Sequence, residues 1–128
     1  MALLRVGRDR TAELIVGLST CHWGTSGASI WVSSSTELHD PASTWFTTGV
    51  PVGSTAESGY PQAGASANIF EHRGVFSTAQ ANFQWESWLI NTTTATGGTP
   101  LNMAVNQVLG TKANTQSWQI TTCVTLTT

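Results

Sequence analysis

Residues 118–128 read Trp118-Gln119-Ile120-Thr121-Thr122-Cys123-Val124-Thr125-Leu126-Thr127-Thr128, and they alternate. Trp118, Ile120, Val124 and Leu126 fall on one side. Gln119, Thr121, Cys123, Thr125 and Thr127 fall on the other. A period of two marks a half-buried β-strand, because successive side chains leave a pleated backbone on opposite faces. The same grammar recurs upstream, whereas catalytic grammar does not.

Working outward, Gly110–Asn114 is expected to turn the chain into this last strand. Leu101–Leu109 alternates Leu101, Met103, Val105 and Leu109 inward against Asn102, Ala104 and Asn106 outward. Asn91–Thr99 reads as a hairpin loop whose Gly-Gly pair can supply positive φ. Ala81–Ile90 sets Phe83, Trp85 and Leu89 on one side and Gln84, Glu86, Trp88 and Ile90 on the other. Apolar bulk on both faces marks a central or covered strand. Ala67–Phe76 is a further strand, with Gly74 as a bulge or a point of close approach. The last three strands are expected to form a meander.

The first half is less regular. Residues 1–11 read as a basic arm, Ala12–Thr20 as a short helix or, favoured by its Gly17 and β-branched residues, a strand. Ser29–Ser33 is a short strand. The excursion over residues 33–66 is rich in Ser, Thr, Gly and Pro, with one or two short strands and the aromatic anchors Trp45, Phe46 and Tyr60. Long loops in a compact domain are usually contact surfaces.

Composition supports this reading. Ser and Thr number 34 and charged residues only 9%, against about 25% in a typical chain. Hydroxyls on β-branched Thr suit a pleated, half-wet surface, whereas a helical protein would carry Glu, Lys and Arg outside. The fold class expected is all-β: one antiparallel sandwich of jelly-roll or immunoglobulin-like type spanning residues 1–128. The structural core is assigned to Phe83, Trp85, Leu89, Val105, Trp118 and Ile120. Few charges also mean little repulsion between copies, which suits a subunit of an assembly; a neutral soluble domain is the plainer alternative.

Arg5, Arg8 and Arg10 against Asp9 leave the first ten residues at +2; Arg73 and Lys112 against six carboxylates leave the rest at −4. A nucleic-acid binder would show a basic stripe across its footprint, so no specific nucleic-acid site is expected. Met1–Val6 lacks the apolar core of a secretory leader, and no apolar run approaches the ~20 residues that span a bilayer. The expectation is a chain made in a cytoplasm with no membrane partner. Cys21 and Cys123 are expected to be free thiols, since two isolated cysteines make no disulfide framework.

Chemistry has few footholds. His22, His39 and His72 lack zinc-ligand spacing, and no metal or cofactor is expected. His39-Asp40 before Pro41 reads as turn chemistry, and Glu71-His72-Arg73 as a solvated face or cross-strand ion pair. Glu86, between Trp85 and Trp88, has the surroundings of a glycosidase acid. Such hydrolysis needs a second carboxylate at a defined separation, and no motif selects among Asp40, Glu57 and Glu71. Glu86 is therefore expected to pair with Arg73 or Lys112, and no enzyme is expected. Asn91-Thr92-Thr93 matches a glycosylation acceptor without a secretion signal.

The run Ala81-Asn82-Phe83-Gln84-Trp85-Glu86-Ser87-Trp88, the Gly-Gly hairpin with Leu101-Asn102, Leu109-Gly110-Thr111-Lys112 and Ser117-Trp118-Gln119-Ile120-Thr121 carry a resemblance. This second half resembles small structural proteins of tailed bacteriophages and prophages. Their strand reads A-N-F-x-W-x-E-W and their hairpin leads into M-L-N-R. Here Glu86 sits one place early and the basic residue is missing, and the likeness covers about the last fifty residues. It implies a virion component, without carrying over any catalytic residue. The function expected is a non-enzymatic capsid decoration (cement) protein. Its partners would be the major capsid protein and further copies of itself, as a trimer on local threefold axes. Arg5, Arg8, Arg10, Trp45, Phe46 and Tyr60 are the expected contact residues. A tail adaptor or fibre-base subunit contacting portal or tail proteins is the first alternative. A glycan- or receptor-binding module, with Trp31 or Trp45 stacked on sugar, is the second.

Overall fold

Strand β11 (Trp118–Thr125) shows the alternation directly: Trp118, Ile120, Thr122 and Val124 face inward, and Gln119, Thr121, Cys123 and Thr125 are exposed. Thr122, which breaks the apolar pattern, is buried with the inward set. The structure is a computed structural model that describes residues 2–15, 28–38, 40–57, 59–66, 68–93, 98–105 and 107–125.

The chain is an all-β, antiparallel, sandwich-like domain, with one helix among the described residues. In chain order it forms β1 (Ala2–Leu3), α1 (Arg5–Ile15), β2 (Ser29–Ser33), β3 (Pro51–Gly53), β4 (Thr55–Ala56) and β5 (Gln62–Ala63). It continues with β6 (Ile69–Phe76), β7 (Gln84–Trp85), β8 (Ser87–Asn91), β9 (Pro100–Ala104), β10 (Gly110–Thr111) and β11. The first sheet has the order β1-β9-β8-β2-β3 and the second β11-β6-β4, with β5 also on β6; β7 and β10 form a separate ribbon.

Between the sheets lie Val32, Phe76, Ala81 and Trp85, with Val52, Phe83, Trp88, Trp118 and Ile120 against them. Ile90 and Leu101 continue this layer against Phe70 and Val124. The Trp85 ring meets Phe76 at 4.8 Å and Trp118 at 5.0 Å, both edge-on, the geometry that ring quadrupoles favour. The other face of the first sheet holds Leu4, Trp31, Phe46, Leu89 and Met103, with Val6, Trp45 and Val105. Because both faces are covered, every residue of β2 and β9 is buried.

Gly74 is a point of close approach. A Cβ there would stand 2.5 Å from Ser54 Oγ and 3.3 Å from Ile30 Cβ. Ser54 is where the chain leaves β3 for β4 and so changes sheet; its N–H donates to Ile30 O at 2.8 Å and its Oγ accepts from Ile30 N at 3.1 Å.

Four expectations are corrected. The basic arm and the strand after it give way to α1, whose first helical bond runs from Arg8 N to Leu4 O at 3.0 Å; residues 16–20 lie outside the described ones. The final three strands are no meander, because β11 crosses to the second sheet, where Trp118 and Ile120 reach Trp85 and Phe76 from the opposite side. The alternation over residues 81–90 breaks at Glu86, between β7 and β8, so Trp85 and Leu89 enter opposite layers. In β9 both Asn102 and Ala104 are buried rather than outward, and Leu109 is exposed rather than inward.

Candidate interaction surface

One end of the sandwich gathers the described chain's exposed large apolar side chains. Hydrogen bonds define it as a row: Val50 N donates to Ser34 Oγ at 3.3 Å, Glu86 N to Ser33 O at 2.9 Å, Gln107 N to Glu86 O at 2.7 Å and Leu109 N to Trp85 O at 2.9 Å. The strand ends Ser33, Pro51 and Ser87 meet there in register. On this end Leu38 is 84% exposed, Val108 65%, Val50 60% and Leu109 45%. The loop that presents Leu38 is fixed: Glu37 accepts from Thr47 N and Thr47 Oγ1, Ser35 Oγ meets Thr48 Oγ1 at 2.8 Å, and Ser87 Oγ donates to Ser35 O at 2.6 Å. Large apolar side chains left exposed on neighbouring segments are the candidates for a contact site. Sequence reasoning missed this group; the signal was apolar residues flanking turns at Leu38, Val50 and Val108-Leu109.

The expected contact residues are placed differently. Phe46 is buried and Trp45 half-buried, and the Trp45 ring meets Trp31 at 5.2 Å and Phe46 at 5.9 Å. Both rings pack on the chain's own core, Phe46 wholly and Trp45 in part, so Phe46 has little surface left for a partner. Trp31 is also buried, with Nε1 donating to Ser29 Oγ at 2.8 Å, so its face is not open to a sugar. Tyr60 is half-buried beneath the Arg73 guanidinium, 4.2 Å from the ring centroid. Arg73 also lies 3.5 Å from Glu57 and donates to Thr121 Oγ1 at 3.2 Å, binding the loop between β4 and β5 to β6 and β11. Arg5 and Arg8 are exposed and, with Leu4 and Pro41, line a cleft of about 230 Å³; Arg8 lies 3.4 Å from Asp9. Arg10 belongs to α1.

Of the assigned core, Trp85 and Leu89 are buried, and Phe83, Val105, Trp118 and Ile120 pack partly buried around them. Glu86 is buried and accepts from Gln84 Nε2. The cations expected beside it are engaged elsewhere: Arg73 with Glu57, and buried Lys112 with Asn82 Oδ1 at 2.6 Å. His72 faces inward rather than sharing the solvated face of Glu71 and Arg73. It is 3% exposed, opposite Thr122 and 5.7 Å from the Phe70 ring, and burial lowers its pKa from 6.5 to about 4. Its Nε2 and the Thr122 Oγ1 have no described hydrogen-bond partner. Cys123 is a free, exposed thiol. Cys21, His22 and His39 lie outside the described residues. Among the described residues no three His, Cys, Asp or Glu side chains could together hold a metal, and no helix is long and apolar enough to cross a membrane. Asn91 of the acceptor triplet is buried, with Nδ2 donating to Thr93 O at 3.0 Å.

Comparison with protein-family models, with curated proteins and with solved structures returns no match.

Proposed function

We propose that this chain is a non-enzymatic structural subunit that docks onto a protein shell, a capsid decoration protein of a tailed phage. One observation carries the docking: Leu38, Val50, Val108 and Leu109 are the exposed large apolar side chains of the described residues, on segments that hydrogen bonds join at one end of the first sheet. The phage setting comes from the resemblance of the second half. Burying one such side chain fully is worth about 1.5–3 kcal/mol, so four give a contact centre that a polar rim can complete to an interface of ~800 Å² per partner. Within the 33–66 excursion the contact therefore falls to Leu38 and Val50, while Trp45 and Phe46 hold the loop in shape.

The test is stoichiometry and stripping of purified particles. A decoration protein is present at hundreds of copies and a tail adaptor at about six to twelve, set by shell and ring symmetry. Chaotrope that strips the protein should lower the particles' heat resistance; stripped particles as resistant as intact ones would sink the cement role.

A further inference from the structure

The second sheet ends on an open strand. β11 pairs with β6 in unbroken register from Trp118↔Phe76 to Thr125↔Ile69, and no described strand lies on its other side. In an antiparallel strand, alternate residues direct N–H and C=O toward one neighbour and the intervening residues direct theirs away. Half of the main-chain groups of β11 thus point outward along an eight-residue edge.

The other edges are blunted. β3 has three residues and begins with Pro51, which has no N–H; β1, β4 and β5 have two residues each. β11 has neither proline nor charge, and residues 113–128 contain no charged side chain at all. Long edges are ordinarily guarded by lysine, proline or a bulge, because an unguarded edge recruits another strand.

We infer that β11 is a self-association edge: a second copy of the chain adds its own β11 antiparallel across a two-fold axis. Main-chain hydrogen bonds would join the two second sheets into one. The strand suits itself as partner. No charges oppose across the axis, and the exposed Gln119, Thr121 and Thr125 offer polar and β-branched cross-strand pairs. The half-buried Trp118, Ile120 and Val124 would lose their remaining water-exposed surface. An isologous two-fold contact closes on a dimer, not on the trimer that a threefold seat on a shell favours. The inference is independent of the docking end, so Val108→Asp is expected to leave the dimer intact.

The full chain tests it by sedimentation and amide exchange across a concentration series. The expected result is a monomer–dimer equilibrium in which the outward-directed amides of β11 gain protection as dimer forms. Gln119→Lys and, separately, Thr125→Lys should each weaken association about tenfold or more, because the two-fold duplicates every introduced like charge. Both sites are exposed, so the melting temperature of the monomer should hold. A monomer at every concentration, a dimer indifferent to both lysines, or outward amides whose protection ignores concentration would each overturn the inference.

Discussion

Burial between the sheets takes the His72 imidazole from a pKa of 6.5 to about 4, and the consequence is an acid-sensitive fold. Between those values the unfolded chain binds a proton that the native site refuses. Stability is therefore complete above pH 6.5 and falls as pH drops toward about 4, by a total on the order of 3 kcal/mol. Thr122 and the Phe70 ring lie beside the imidazole among the described residues, and neither is a charge that could stabilise the imidazolium. His72→Leu is expected to flatten this dependence, read as a smaller difference between urea midpoints at pH 7 and pH 4.5. An undiminished difference would place the acid sensitivity elsewhere. Gly74→Ala should cost about 1–3 kcal/mol, as overpacking does, because its Cβ would meet Ser54; an unchanged urea midpoint would contradict that contact. The two residues differ in how far the sequence discloses them. Gly74 interrupts a bulky strand and so advertises a close approach. His72 hides in the string Glu71-His72-Arg73, which reads as a charged surface until alternation is applied one residue at a time.

Helix α1 illustrates what local pattern misses at the level of an element. Gly7 weakens any helix by propensity, at about 1 kcal/mol relative to Ala, and the β-branched residues beyond it favour a strand reading. Yet Gly7 is where the helix backbone meets β9: a Cβ there would fall 2.1 Å from Leu101 O. Gly7→Ala should therefore lower the melting temperature in spite of alanine's better helix propensity. A higher melting temperature would show that α1 does not seat on β9 as described. The break at Glu86 was illegible for a related reason. Residues 84–85 pair with β10 while residues 87–91 pair with β2 and β9, and only those distant partners decide that Trp85 and Leu89 enter different layers. β11, whose face is set by its own alternation, was readable from end to end. β9 was not, because the helix and the Trp45-Phe46 loop that cover it come from the first fifty residues.

For the whole molecule, the architecture leaves two places for other chains: an apolar end and an open edge. The all-β class follows from composition and alternation, whereas the exposed end does not. Leu38, Val50, Val108 and Leu109 are scattered in sequence, and the segments that carry Val50, Val108 and Leu109 are joined only by the hydrogen bonds at Ser34, Glu86 and Trp85. Of the large aromatics that drew notice in the sequence, Phe46 and Trp31 are buried, and Trp45 and Tyr60 are half-buried. Exposed apolar positions contribute little to folding, so changing them should separate binding from stability, with shifts within about 0.5 kcal/mol. The most direct measurement is rebinding of purified protein to stripped particles, comparing the wild type with Leu38→Asp combined with Val108→Asp. The account predicts saturable rebinding by the wild type, and loss of rebinding by a double variant that melts at the same temperature. Equal occupancy by the two proteins would contradict it.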